Sequence, residues 1–108
     1  MQYKTTIEKY FKAWQIRDWN FVEAVITDDF TFTSPYDAAI DRETYKTKCW
    51  DSVKEIGEFE IITIVAGETE AFVRYKNRIN GENALNVEHF IFENDKVKSV
   101  TVFFGLPE

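Results

Sequence analysis

The chain has one cysteine, one histidine and two prolines in 108 residues, and its charge leans one way, to a formal −6. With Cys49 alone no intramolecular disulfide forms, so a reducing, cytoplasmic setting is expected. With His89 alone a multi-histidine metal site is ruled out, and a serine or cysteine triad would rest wholly on that ring. The acidic residues are scattered and no basic stripe is present, which argues against a nucleic-acid partner. No continuous apolar run is long enough for a signal sequence or a membrane span, so no membrane partner is expected. A glycine-rich phosphate loop is also missing, and Asp28-Asp29 sits at a helix-to-strand turn where carboxylates usually meet solvent. Neither metal nor cofactor is expected.

What is present is aromatic. Eighteen aromatic residues, ten of them Phe, exceed what a minimal core of one domain (1–108) needs, which leaves some to line a cavity or an interface. Ile7, Tyr10, Phe11 and Trp14 recur at helical spacing after a Thr5–Glu8 capping box. Asp18 is placed to cap a second helix carrying Phe21, Val22, Val25 and Ile26. Phe30, Phe32 and Ser34 alternate as a short strand ended by Pro35, and residues 36–40 read as a loop. Asp41 opens a third helix with the stripe Tyr45, Cys49, Ser52, Val53 and Ile56, stopped by Gly57. Strands are expected over 59–65, 70–79, 83–93 and 96–104, with Asn80-Gly81 and Asn94-Asp95 as turns. Helices followed by an antiparallel meander make an α+β domain.

One residue does not fit a plain sheet. Glu88 lies in the run Asn86-Val87-Glu88-His89-Phe90-Ile91-Phe92 and shares its face with Phe90 and Phe92. An ionised carboxyl against an aromatic wall either finds donors or keeps its proton, and groups tuned this way gather at functional sites. The competing reading turns Glu88 to solvent, because Val87 and Ile91 on the opposite face are apolar as well.

The order of these stretches resembles the NTF2-like superfamily, especially its SnoaL-like and ketosteroid-isomerase-like members. The resemblance is carried by Lys9-Tyr10 through Arg17-Asp18, by Asp28 through Pro35, and by Glu88 through Phe92 followed by Lys96 through Val100 and Phe103-Phe104-Gly105. It implies a cone in which three N-terminal helices pack on a strongly curved, mostly antiparallel sheet, also called cystatin-like, around an apolar pocket. In that family a strand aspartate just before a proline removes a proton, and a helix tyrosine and a protonated strand acid hold the oxyanion. The matching positions here are Ser34, Tyr10 and Glu88. A serine hydroxyl cannot remove a carbon-bound proton near neutral pH without a stronger base, so the isomerase reaction is not implied intact.

The expected site therefore has Tyr10 and Glu88 as its acid–base pair, close enough for a direct hydrogen bond, although Tyr10 also fits as an ordinary core aromatic. Trp14, Phe30, Phe32, Ser34, Tyr45 and Trp50 are expected around it, with Phe59, Phe90, Val100, Val102 and Phe104 on the sheet side. A small apolar organic molecule is the expected ligand, bound with or without isomerase, cyclase or dehydratase chemistry. A protein-interaction module is the third reading. His89 falls on the outer face by parity, with Leu85, Val87, Ile91, Thr101 and Phe103, where relatives commonly form homodimers.

Overall fold

The computed structural model describes residues 3–105. Helix α1 (Tyr3–Ile16) buries Ile7, Tyr10, Phe11 and Ala13, the face expected from the spacing. It already runs at Tyr3, so Thr5 lies inside the first turns and is not its cap. The helix ends where Arg17 turns left-handed, at φ 63°. Asp18 N–H donates to Ala13 and Arg17 N–H to Trp14, a paired C-terminal closure that usually recruits glycine. Arg17 accepts that backbone while its guanidinium stacks 4.0 Å over Trp50 and donates to the Trp50 carbonyl at 2.7 Å. Asp18 then caps α2 (Trp19–Val25) by accepting from Phe21 N–H.

Strand β1 (Ile26–Ser34) pairs antiparallel with β2 (Asp37–Asp41). The loop expected over 36–40 is thus mostly an edge strand, which Asp-Ala-Ala-Ile-Asp is too short and too mixed to announce by alternation. Asp41 caps α3 (Arg42–Thr44) through Thr44 N–H, as its side chain suggested. The helix then widens into a π-helical turn (Tyr45–Trp50) and stops there, well short of Gly57. Asp51 N–H reaches back five residues to Lys46. A π turn is wider than an α-helical one, so residues five apart lie closer to one face, and Tyr45 and Trp50 both go inward where an ordinary helical repeat sends them to different faces. Ser52, Val53 and Ile56 fall beyond the helix, and Ile56 forms an isolated bridge to Ile79.

The rest is sheet: β3 (Glu60–Ala66), β4 (Glu70–Ile79), β5 (Glu82–Glu93) and β6 (Lys96–Phe103). Both anticipated turns form with positive φ at each central residue, 51° and 84° at Asn80-Gly81 and 51° and 66° at Asn94-Asp95. The strand order is β2-β1-β6-β5-β4-β3, antiparallel except for the β1–β6 pair. Register shifts in β1, β3 and β6 bend the sheet. Its inner face carries Ala71, Val73, Tyr75, Phe90, Val97 and Val100, all buried beneath the helices. Opposite parity sends Phe72, His89, Ile91 and Phe103 outward, and Phe72 stacks on the His89 ring while Glu70 bonds its Nε2 at 2.7 Å.

Candidate functional site

The inner face is not completely filled. A cavity of about 150 Å³ opens between α1, the π turn and strands β4 to β6. Of the residues expected around a pocket, Tyr10, Trp14, Phe32, Tyr45 and Phe59 line it, as do Glu88, Val102 and Phe104. Its volume is below the roughly 300 Å³ at which ligand pockets usually begin, because aromatic side chains occupy much of the cone.

Five expected residues lie elsewhere. Phe30, Phe90 and Val100 are completely buried in filled core: Phe30 packs on the Tyr45 ring and Phe90 meets Tyr10 edge-on. Trp50 is enclosed by Trp14, Trp19 and Arg17. Ser34 is held in the β1–β2 turn, where its hydroxyl donates to Asp37 at 2.9 Å and accepts from Tyr36 N–H. Asp37 also ion-pairs with Lys48, and chiefly that contact holds its carboxyl below the usual range. Strand parity alone cannot separate cavity wall from core, since both are apolar and inward.

Six lining residues are not among the expected pocket residues, although strand parity puts Tyr75 with Ala71 and Val73 on the concave wall: Phe11, Cys49, Tyr75, Asn77, Ile79 and Asn86. The signal for four of them was present. Tyr75, Asn77 and Ile79 continue the inward parity of Ala71 and Val73 along β4, and Asn86 shares the face of Glu88 on β5. Cys49 is one helical turn from Tyr45, but only the widened turn shows which of its neighbours reaches the opening. Burial raises its thiol to about 11.

The polar groups gather at two places on the wall. On the helix side, the Tyr10 and Tyr45 hydroxyls are 2.5 Å apart and Trp14 Nε1 donates to Tyr45 at 3.2 Å. On the sheet side, Tyr75 and Glu88 share the cavity wall, and Glu88 is one of three buried polar or charged residues among the described residues. In place of the expected Tyr10–Glu88 hydrogen bond, the Tyr10 hydroxyl is paired with that of Tyr45, which the π turn brings within reach. Burial raises the Tyr10 phenol, and the Glu88 charge adds to that rise. Desolvation raises Glu88 itself to about 7, against the opposing pull of the Tyr75 hydroxyl. Among the described residues no Lys, Arg or His lines the cavity. It can therefore hold a proton near neutrality and present neutral donors to an oxygen, in a setting that disfavours anions.

The SnoaL-like domain family matches residues 7–100, nearly the whole of this geometry. The chain belongs to that family. Solved structures share its NTF2-like fold. An NTF2-like protein of unknown function from Burkholderia xenovorans superposes with a TM-score of 0.84 at 20% identity, covering 97% of this chain and 84% of that one. An LEH-like epoxide hydrolase from M. tuberculosis gives 0.79 at 18%, covering 94% and 80%. A protein assigned provisionally as a ketosteroid isomerase, from Kribbella flavida, gives 0.81 at 18%, covering 99% and 80%. At such identities the SnoaL-like chain shares a fold with these proteins, and no residue role transfers. Among curated proteins no relative matches. No described helix is long and apolar enough to cross a membrane.

Proposed function

We propose that this SnoaL-like chain, a single domain over 1–108, binds a small uncharged organic molecule in the cavity beside Glu88. The observation that carries the reading is Glu88 itself, a buried carboxyl with a value near 7 facing an aromatic cavity. When protonated it donates to a carbonyl or hydroxyl oxygen, and when ionised it accepts a proton, so one side chain serves either half of an acid–base step. The Tyr10–Tyr45 pair supplies a second neutral donor from the opposite wall. In an enzymatic form this supports isomerisation, cyclisation or dehydration of a carbonyl or hydroxyl compound. The volume suits one ring with a short substituent.

A noncatalytic binding role has one specific observation in its favour. Ser34, at the position where the resembled isomerases carry their base, is bonded to Asp37 and lies off the cavity. Both forms are tested by screening small cyclic ketones, enones and phenols by calorimetry against wild type and Glu88→Gln. Saturable binding that weakens in the variant supports the site; product formation decides for the enzyme. Failure of every neutral compound to bind removes the reading.

The outer sheet face, with Phe72, Ile91 and Phe103 exposed, supports a homodimer, which sedimentation of wild type and Phe103→Glu checks. One half-buried free cysteine suits a cytoplasmic location.

A further inference from the structure

We propose that Asn86 is a positioning residue, anchored by the backbone N–H of Gly105, that aims the Tyr75 hydroxyl at the Glu88 carboxyl. The proposal rests on the reading of Glu88 as the proton-carrying group of the cavity.

The three side chains sit at one level of the sheet. Tyr75 on β4 lies directly opposite Asn86 on β5, and Glu88 is the next residue of β5 on the same face. Val87 pairs with Phe103, so the chain leaving β6 passes beside Leu85 and Asn86. There Gly105 N–H donates to Asn86 Oδ1 at 3.1 Å. A backbone N–H can only donate, so this bond assigns the amide oxygen to Gly105 and leaves the NH2 group for another partner. The group it faces across the strand pair is Tyr75, whose ionisation responds to both Asn86 and Glu88; in the proposed arrangement the Tyr75 oxygen accepts from Asn86 and its proton is left for Glu88. So arranged, the chain of donors runs one way, from the observed Gly105–Asn86 bond through the inferred Asn86–Tyr75 and Tyr75–Glu88 contacts to the carboxyl.

Two features make this more than a surface contact. Tyr75, Asn86 and Glu88 are all buried, which keeps bulk solvent from screening their contacts. At Gly105 a Cβ would sit 1.7 Å from the Leu85 carbonyl oxygen, so another residue must move the strand end away from Asn86. The groups that face Glu88 are phenols: Tyr75 from β4, Tyr10 from α1 and Tyr45 from the π turn, while Val102 opposite it on β6 is apolar. With neutral donors around it, the carboxyl's affinity for a proton depends on how well each donor is aimed.

The test is a ¹³C NMR titration of Glu88 in the ligand-free protein, with folding followed by circular dichroism. Tyr75→Phe is expected to raise the Glu88 midpoint by roughly one pH unit, the worth of one hydrogen bond to a carboxylate. Asn86→Leu is expected to raise it by roughly half as much, and the double variant no further than Tyr75→Phe alone, since Asn86 acts through Tyr75. Gly105→Ala, which alters only the strand end, should move the midpoint in the same direction as Asn86→Leu. The proposal is overturned if Asn86→Leu and Gly105→Ala leave the midpoint at the wild-type value, or if the Asn86→Leu effect adds in full to Tyr75→Phe. An ordinary glutamate midpoint in the wild type would sink the reading of the cavity instead, because the proposal stands on differences between variants.

Discussion

The hydroxyl of Tyr10 lies 2.5 Å from that of Tyr45, although the two residues are 35 positions apart. Their pairing joins α1 to the π turn at the cavity wall and gives Trp14 its acceptor. Neither phenol ionises near neutral pH, since burial raises both. They act together as a neutral donor.

Tyr45→Phe separates structure from binding at this pair. It leaves Trp14 Nε1 and the Tyr10 hydroxyl without their shared partner, so urea unfolding should show a loss of about 1–3 kcal/mol. Affinity for a bound carbonyl compound should fall as well. An unchanged unfolding midpoint would mean the pair contributes nothing to the fold.

Glu88 makes stability depend on pH in a defined direction. In the fold its carboxyl keeps a proton up to about 7, whereas the unfolded chain loses it near the ordinary 4.5. The favourable contribution is complete below that lower value and is lost as pH rises through 7. Glu88→Gln should therefore become more stable than wild type by on the order of 3 kcal/mol at pH 8, with little difference at pH 4. Denaturant curves at the two pH values check this, and parallel behaviour of the two proteins would contradict it.

Cys49 should be a slow thiol. With its value raised to about 11, the reactive thiolate is scarce at neutral pH, and alkylation should run on the order of 100-fold slower than for an unperturbed cysteine. Because Cys49 borders the cavity, a bound molecule should slow it further. Reaction rates with iodoacetamide, with and without a ligand found by screening, give the answer.

Ser34→Ala distinguishes a turn residue from a pocket residue. Loss of the bonds to Asp37 and Tyr36 should cost about 0.5–1.5 kcal/mol in thermal or chemical unfolding. Ligand affinity should stay at the wild-type level. A large drop in affinity would place the serine in the site after all.

Much of the fold was legible from residues along the chain. Helix α1, the Asp18 cap, both Asn-led turns and the long strands β4 and β5 follow from spacing and turn chemistry, which act over a few residues. The inward orientation of Glu88 was open on parity alone, because both faces of β5 are largely apolar, and it became an expectation only through the family resemblance. Other features depend on where distant elements meet. The edge strand β2 exists because β1 lies beside it, and the π turn places Tyr45 and Trp50 inward together, two changes that a local pattern cannot encode. The same holds for partners: Tyr10 pairs with Tyr45, Glu88 shares the cavity wall with Tyr75, and Asn86 is oriented by a backbone group 19 residues away. Periodicity says which side of an element a residue faces. Which hydroxyl meets which acceptor, and which aromatic leaves a space, follows from packing in three dimensions.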